Sequence, residues 1–211
     1  MPVRQREKIQ ELLRSGGVTI VTTLEHPNYL KTPEEYLAAE RVAEQRHEYL
    51  AGTVYSMAGA TADYQRIAAN VARHLGNQLS GKRCEVFSMD MKVRIRKGAA
   101  TFFYYPDATV DCSDPAGDSY FAEEPRVIFE VLSPETERID RVEKLYNYQT
   151  LPSLLSYVLV DQLRLAVTVY RRKNGDWIVE LLIKKDDILK LPEIECALPM
   201  TAIYERTQLA R

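Results

Sequence analysis

The fold is decided by the stretch RVIFEVLSPET, which spans residues 126–136. Its first seven residues are apolar except for Arg126 and Glu130, a pattern typical of a strand buried in the middle of a sheet. Ser133-Pro134 ends that strand, because proline has no amide proton to give to a strand ladder. The residues from Thr136 to Gln149 then predict a helix. We expect four of its apolar residues on the inner side: Ile139, Val142, Leu145 and Tyr146.

Helix and strand signals continue on both sides of this centre. Upstream, the pattern predicts a helix over 33–45, a hairpin over 47–57, a long helix over 63–79, alternating residues over 84–95 and a strand over 108–112. Downstream it predicts strands over 155–160, 165–171 and 177–182. This order predicts an α/β (α+β) fold with a mixed β-sheet flanked by helices. We expect residues 1–31 to form an N-terminal extension and residues 32–211 to form a single domain.

Composition indicates one globular domain. Of the 211 residues, 45% are apolar and 27% are charged, and 28 Lys+Arg stand against 30 Asp+Glu. A formal charge of −2 lacks the basic excess of most nucleic-acid-binding domains. The charge is uneven, however: residues 82–97 hold six basic residues against two acids, and residues 107–130 hold seven acids against one arginine. The first segment suits phosphate groups, and the second suits cations.

Targeting signals and cysteine pairs are not recognisable in the sequence. The first 17 residues are charged and lack the apolar core of a signal peptide. No stretch approaches the roughly 20 apolar residues that a membrane helix needs. Cys84, Cys112 and Cys196 are scattered, without a CxxC pair. We therefore expect a cytoplasmic protein with reduced thiols and no membrane partner.

Two acids and a lysine are the candidates for chemistry. Asp107 follows a proline at the mouth of a predicted strand, and Glu130 lies inside the apolar central strand. A buried carboxylate must be neutral, paired or bound to metal, because an isolated buried charge costs more than the net stability of a domain. On neighbouring strands, the two acids can converge as ligands for Mg²⁺. Asp140, Lys144 and Tyr148 share one helix face, from which the lysine can stabilise charge in phosphodiester hydrolysis.

Three motifs in this order resemble those of a known family: Tyr105-Pro106-Asp107, FEVLSPET over 129–136 and DRVEKLY over 140–146. Over residues 33–205 the chain resembles the Uma-two-type restriction endonucleases of the PD-(D/E)XK nuclease superfamily. The resemblance implies a restriction-endonuclease-like core, metal-dependent endonuclease activity, Mg²⁺ or Mn²⁺ as cofactor, and nucleic acid, with DNA favoured, as partner. It also implies Asp107 and Glu130 as metal ligands, and Lys144 and Glu48 as further catalytic residues.

The sequence departs from the family pattern at two places. The superfamily has lysine two residues after the glutamate, where this chain has Leu132, and the resemblance accommodates this with a lysine on the following helix, Lys144. The family often has histidine at the start of the long helix, where this chain has Asp63-Tyr64. Because such an enzyme cuts two strands, we also consider a homodimer.

Two other functions fit the same residues. Without catalysis, the fold would be a nucleic-acid-binding or protein-binding module. A carboxylate pair without metal or lysine would suit a hydrolase acting on another substrate, such as a glycoside. Each candidate also has a purely structural explanation: Asp107 as a turn acid, Glu130 as a buried ion pair, Lys144 as a helix pair with Asp140, and Glu48 as a cross-strand pair.

Overall fold

The structure, a computed structural model, describes residues 30–57 and 59–210, so most of the predicted extension lies outside the described residues. Its helices are α1 (Pro33–Glu40), α2 (Ala62–Leu79), α3 (Leu145–Tyr148) and α4 (Met200–Ile203), and a π-helical turn, Ile139–Lys144, runs directly into α3. Its strands are β1 (His47–Leu50), β2 (Thr53–Ser56), β3 (Glu85–Ser88), β4 (Lys92–Lys97), β5 (Ala100–Tyr104), β6 (Ala108–Asp111), β7 (Phe121–Ala122), β8 (Pro125–Leu132), β9 (Ser156–Asp161), β10 (Val167–Lys173), β11 (Asp176–Leu182), β12 (Ile188–Leu191) and β13 (Cys196–Pro199). None of the helices in these ranges has the length and apolar content to cross a bilayer.

The larger sheet has six strands in the order β11-β10-β9-β8-β6-β3. Strands β8 and β9 run parallel, and the other neighbours run antiparallel. Seven of the eight residues of β8 are buried, as its apolar sequence predicts. Helix α2 covers one face of the sheet with four buried side chains: Ile67, Val71, Leu75 and Leu79. The prediction of a mixed sheet flanked by helices is confirmed.

A smaller sheet packs against the other face of β8. It has five strands in the order β2-β1-β5-β4-β7. One apolar cluster joins the two sheets, and its buried members are Val93, Ile95, Tyr104, Ile128, Leu132, Tyr148, Leu151, Leu154, Tyr157 and Leu159. Because side chains alternate along a strand, Glu130 points to the same side of β8 as Ile128 and Leu132. Its carboxylate is therefore directed into the space between the sheets.

The strand prediction fails where the backbone changes sheets. The alternating residues 84–95 form two strands, β3 and β4, that belong to different sheets. Met89 separates them with a φ of 57°, which interrupts the extended backbone. Strands β5, β7, β12 and β13 have no counterpart in the sequence prediction. In β5 the reason is its continuous aromatic run, in which apolar and polar residues do not alternate.

The helix predicted over 136–149 begins as the π-helical turn. Val142 and Tyr146 are 61% and 62% exposed, so their predicted place on the inner side is wrong. A π-helical turn holds more residues than an α-helical turn and therefore presents a different set of side chains to the core. Asp140 and Lys144 are buried in their place.

Cys84 and Cys112 form a disulfide, so the expectation of three reduced thiols is wrong. Glu85 pairs with Asp111 in the antiparallel ladder of β3 and β6, and the two cysteines occupy the next opposed positions. Their separation of 28 residues gives no hint of this neighbourhood in the sequence. Cys196 is a free and buried cysteine.

Candidate active site

Asp107 and Glu130 lie on neighbouring strands. Ala108 pairs with Phe129 across β6 and β8, so Asp107, one residue earlier, lies opposite Glu130. The Asp107 amide donates a hydrogen bond of 3.1 Å to the Phe129 carbonyl oxygen, which extends the ladder by one residue. Asp107 is 7% exposed and Glu130 is 3% exposed. The structure thus brings the two predicted metal ligands together and shields both from bulk water.

One carboxylate oxygen of Asp107 is held from two sides. Its Oδ2 accepts hydrogen bonds from the Val131 amide at 2.7 Å and from the Tyr64 hydroxyl at 2.8 Å. Burial raises the pKa of Asp107 to about 6, although these hydrogen bonds and Lys144 oppose the rise. Within the described part of the chain, no hydrogen bond or ion pair uses Oδ1. That oxygen is available to a ligand.

The ammonium group of Lys144 is enclosed by three carboxylates. Its Nζ lies 3.0 Å from Glu48 Oε1, 3.1 Å from Glu130 Oε1 and 3.2 Å from Asp140 Oδ1. Burial by itself lowers the pKa of this lysine, but the three carboxylates outweigh burial and raise the pKa well above its usual value. Lys144 is therefore a fixed positive charge at neutral pH and not a proton acceptor.

The cluster carries more acid than this single lysine can neutralise. Burial raises the pKa of Glu130 well above its usual value, and the attraction of Lys144 only partly opposes the rise. The Tyr148 hydroxyl donates a further hydrogen bond of 3.1 Å to Glu130 Oε1. One ammonium group faces four carboxyl groups: Glu48, Asp107, Glu130 and Asp140. Bound protons or a bound cation must compensate the excess negative charge.

Glu48 reaches the cluster from β1 of the smaller sheet. Its Oε1 contacts Lys144 and also accepts a hydrogen bond of 3.3 Å from the Tyr105 amide, two residues before Asp107. The same carboxylate thus touches the lysine and the segment that carries the first acid. All four residues predicted from the sequence meet in this one cluster.

Three more residues belong to the cluster without a role assigned from sequence: Tyr64, Asp140 and Tyr148. The spacing of Asp140, Lys144 and Tyr148 already places them on one helix face, and that signal is sufficient to find them. Tyr64 has no comparable signal, because 43 residues separate it from Asp107. Its hydroxyl donates a hydrogen bond of 2.8 Å to Oδ2 of Asp107.

Substitution of Tyr64 by phenylalanine is expected to weaken Mn²⁺ binding by about 10–100-fold, the usual effect of removing a hydrogen bond that orients a metal ligand. The pKa of Asp107 should also rise, because the tyrosine hydrogen bond lowers it. Titration calorimetry with Mn²⁺ at several pH values measures both effects. Tyr55→Phe, at an exposed tyrosine of β2, is the control. Equal affinities for the two variants would contradict the role of Tyr64.

Two arginines lie near the carboxyl ends of β8 and β9. Arg164 Nη2 lies 2.8 Å from Oδ2 of Asp161, the last residue of β9, and 3.9 Å from Glu137 Oε1. Arg141 Nε donates to the same Glu137 oxygen at 2.7 Å. The Arg164 side chain is 70% exposed.

In the basic segment 82–97, by contrast, two of the six basic residues make contacts inside the domain. Lys92 is buried, and its Nζ donates to the Tyr105 hydroxyl at 3.1 Å. Arg94 forms an ion pair with Glu123 of the acidic segment. The opposite charges of segments 82–97 and 107–130 therefore reflect ion pairs within the domain as well as charge on its surface.

The carboxylate oxygens of the cluster suit a divalent cation that retains some of its water ligands. In residues 30–57 and 59–210, no three His, Cys, Asp or Glu side chains converge closely enough to hold a metal by themselves. Mg²⁺ needs fewer protein ligands than such a site supplies, since it usually retains waters and binds through one or two carboxylates and substrate phosphate. Asp107 and Glu130 supply two carboxylates. Asp140 Oδ1 is a further buried oxygen, and it is already paired with Lys144 Nζ at 3.2 Å.

The mixed sheet with its flanking helices belongs to the class of restriction-endonuclease-like folds. A crystal structure from Anabaena variabilis, described as "a putative nuclease belonging to DUF820", has the same fold, with a TM-score of 0.66 over 81% of this chain and 96% of that chain at 16% identity. The family profile of Uma2, described as "Putative restriction endonuclease", matches residues 33–201. The chain belongs to the Uma2 family.

Two proteins of Synechocystis sp. are similar to most of the chain. "Uncharacterized protein slr1290" is 32% identical over 176 residues, which are 82% of this chain and 90% of that protein. "Uncharacterized protein sll1609" is 32% identical over 157 residues, which are 72% of this chain and 87% of that protein. Neither name states an activity, so the assignment of an activity depends on the site itself.

Proposed function

We propose that this protein is a metal-dependent endonuclease that hydrolyses phosphodiester bonds of nucleic acid, with DNA as substrate and Mg²⁺, or Mn²⁺, as cofactor. One observation carries the proposal: Lys144 Nζ lies within 3.2 Å of the carboxylates of Glu48, Glu130 and Asp140. An acid on the neighbouring strand, Asp107, lies opposite Glu130. The Uma2 family and the nuclease-like fold support the same chemistry.

Each part of the cluster has a role in this reaction. Asp107 and Glu130 would hold the cation, which supplies polarisation of the phosphate and a lower pKa for a bound water. Tyr64 and the Val131 amide keep one oxygen of Asp107 in place and leave the other to bind. Lys144 donates hydrogen bonds to the developing negative charge. A water oxygen forms the new bond to phosphorus and gives up one proton, the phosphorus–oxygen ester bond breaks, and the leaving oxygen takes up one proton, so that the reaction consumes one water.

The leucine at the usual lysine position is compatible with this role for Lys144. Leu132 is 3% exposed and packs into the apolar cluster between the sheets. The ammonium group comes instead from the π-helical turn and contacts Glu130 at 3.1 Å. This contact favours an active nuclease over a binding module, because an ammonium group still lies beside Glu130 although the usual lysine position holds Leu132.

The proposal places the activity in the cytoplasm, where the disulfide would face reducing conditions. Cys112 follows the end of β6 that is opposite to Asp107. Neither cysteine of the disulfide takes part in the hydrogen bonds and ion pairs of the cluster. We therefore expect cleavage to be retained in a reducing buffer.

The proposed function is tested by incubating the protein with supercoiled plasmid in Mg²⁺, in Mn²⁺ and in EDTA. Nicked or linear DNA with metal, and intact DNA in EDTA, is the expected result. Binding without cleavage in either metal would indicate the nuclease-fold binding module. Hydrolysis of a glycoside that persists in EDTA would indicate the metal-free carboxylate pair. A single-stranded RNA assayed in parallel tests the preference for DNA.

In EDTA, the stability of the protein is expected to fall as the pH rises from 4 to 6. The pKa of Asp107 rises from 3.8 to about 6 on folding, so the native state keeps a proton that the unfolded chain has already released. Unfolding then releases a proton and becomes easier at higher pH, by about 3 kcal/mol over the whole range. Urea unfolding at pH 4, 5, 6 and 7 measures this change.

Asp107→Asn is the control for this pH dependence. The variant has no carboxyl group to titrate at this position, so its stability should fall less between pH 4 and 6 than that of the wild type. Identical pH profiles for the two proteins would contradict the raised pKa. Because metal binding competes with protons, saturating Mn²⁺ should restore wild-type stability above pH 6 but not that of the variant.

A further inference from the structure

A second buried polar network lies next to the candidate active site. Glu40, at the end of α1, is 5% exposed, and its Oε1 accepts a hydrogen bond of 3.0 Å from the Tyr105 hydroxyl. That hydroxyl accepts a hydrogen bond of 3.1 Å from Nζ of Lys92, which is also 5% exposed. Because lysine can only donate hydrogen bonds, the single proton of the phenol points to Glu40. The chain from Lys92 through Tyr105 to Glu40 therefore has one fixed direction.

The network holds β1 at the residue before Glu48. Glu40 Oε1 also accepts a hydrogen bond of 2.8 Å from the His47 amide, and Glu40 Oε2 lies 3.1 Å from His47 Nδ1. One turn earlier in α1, the Tyr36 hydroxyl donates a hydrogen bond of 2.6 Å to the His47 carbonyl oxygen. Side chains of one helix thus bind both backbone polar groups of His47. Because Glu48 is the next residue, α1 fixes where its carboxylate enters the cluster around the catalytic lysine.

The same network holds the segment that leads to Asp107. The Tyr105 hydroxyl is bound on both sides within the network, and the Tyr105 amide donates a hydrogen bond of 3.3 Å to Glu48 Oε1. Asp107 follows two residues later, with Pro106 between them. The proline ring restricts the backbone of this short connection. A displacement of Tyr105 would therefore move both Asp107 and the hydrogen bond to Glu48.

We propose that Glu40 and Tyr105 are positioning residues of the nuclease site. They hold Glu48 and Asp107 at the separation that cation binding and Lys144 require, and this role rests on the proposed metal-dependent activity. The hydrogen bonds of Glu40 and of the Tyr105 hydroxyl to the described residues do not include the catalytic cluster, so both groups act through geometry. A buried network suits this role, because breaking one bond leaves a polar group unpaired in the interior.

Tyr105→Phe tests the position directly, with Tyr49→Phe as its matched control. Tyr105 is 4% exposed and Tyr49 is 3% exposed, and the Tyr49 hydroxyl donates to the Lys31 carbonyl oxygen, outside the network. Tyr105→Phe should weaken Mn²⁺ binding by about tenfold and lower kcat for plasmid cleavage by about 10–100-fold, since a displacement of about 1 Å can cost 10²-fold. The KM for DNA should not change. Tyr49→Phe should lower the melting temperature and leave Mn²⁺ affinity and cleavage as in the wild type.

Titration calorimetry with Mn²⁺ separates a positioning role from a general loss of structure. Partial unfolding lowers the number of ions bound per chain, whereas a displaced ligand lowers the affinity. Equal affinities for the two phenylalanine variants would overturn the inference, as would a wild type that binds no Mn²⁺. A weaker affinity of Tyr105→Phe alone, in a protein that does not cut DNA, would support the positioning role and contradict the proposed nuclease.

Substitutions at Glu40 give a second test that leaves the tyrosines intact. Glu40→Gln keeps an oxygen that can accept hydrogen bonds from the His47 amide and the Tyr105 hydroxyl, so its Mn²⁺ affinity should stay close to that of the wild type. Glu40→Ala keeps no acceptor and should lose about tenfold in affinity. Glu44→Gln, at an exposed glutamate, is the control. An alanine variant that is folded by circular dichroism and binds Mn²⁺ as tightly as the glutamine variant would overturn the inference.

Discussion

Glu130→Gln is expected to reduce metal-dependent cleavage by about 10³-fold or more and, at the same time, to stabilise the metal-free protein. The loss follows from the removal of one of the two proposed metal ligands. A bound cation supplies several kcal/mol of transition-state stabilisation, and about 4 kcal/mol corresponds to 10³ in rate. Plasmid cleavage in Mn²⁺, measured over a range of enzyme concentrations, gives the ratio of the rates.

The gain in stability follows from the surroundings of Glu130. Burial and the neighbouring acids raise its pKa, so its charged form is costly in the folded protein without metal. Glutamine remains neutral, and its amide oxygen can still accept hydrogen bonds from Lys144 and Tyr148. We expect a melting temperature in EDTA at pH 8 that is higher by roughly 2–4 °C, which corresponds to about 1 kcal/mol in a chain of this size.

Glu85→Gln is the matched control, since this glutamate is exposed on β3. It should leave both cleavage and melting temperature unchanged. A Glu130→Gln protein that cleaves like the wild type would exclude Glu130 as a ligand. A variant that loses activity together with stability would indicate that Glu130 serves the fold as an ion-pair partner, the structural explanation considered from the sequence.

Lys144→Met is expected to destabilise the metal-free protein by about 3–5 kcal/mol at pH 8, the usual cost of removing one partner from a buried charge cluster. The variant leaves the carboxylates of Glu48, Glu130 and Asp140 without the ammonium group that contacts them. At pH 5 the loss should be smaller, because burial raises the pKa values of Asp107 and Glu130 and these two groups can then hold protons. Urea unfolding at both pH values separates this electrostatic loss from a loss of packing, which would not depend on pH.

A divalent cation should partly replace the missing charge in Lys144→Met. We expect Mn²⁺ to raise the melting temperature of the variant more than that of the wild type, although cleavage remains impaired without the lysine. Lys173→Met, at an exposed lysine of β10, should behave like the wild type in every measurement. Equal Mn²⁺ effects in both proteins would show that the cluster does not bind the cation through its excess negative charge.

The central strand and the long helix were predictable because their signals are local. Strand β8 is apolar except for Arg126 and Glu130, and α2 repeats its apolar residues at helical spacing with Ile67, Val71, Leu75 and Leu79 on one face. The disulfide was not predictable, since the opposed positions of Cys84 and Cys112 depend on the pairing of two distant strands. The exposure of Val142 and Tyr146 depends on the π-helical winding, which the sequence pattern does not reveal.

By itself, the sequence determined which chemical groups are present. It also showed that two of them, Glu130 and Lys144, cost free energy if they are buried without a partner. A glutamate inside an apolar strand and a lysine on the next helix already point to a buried charged site, because burial of an unpaired charge is expensive wherever it occurs. Only the tertiary structure decided that Glu48 arrives from a second sheet, that Tyr64 holds Asp107, and that three carboxylates contact one lysine. These contacts join residues far apart in the chain, and their energies depend on distance in space, which local patterns do not encode.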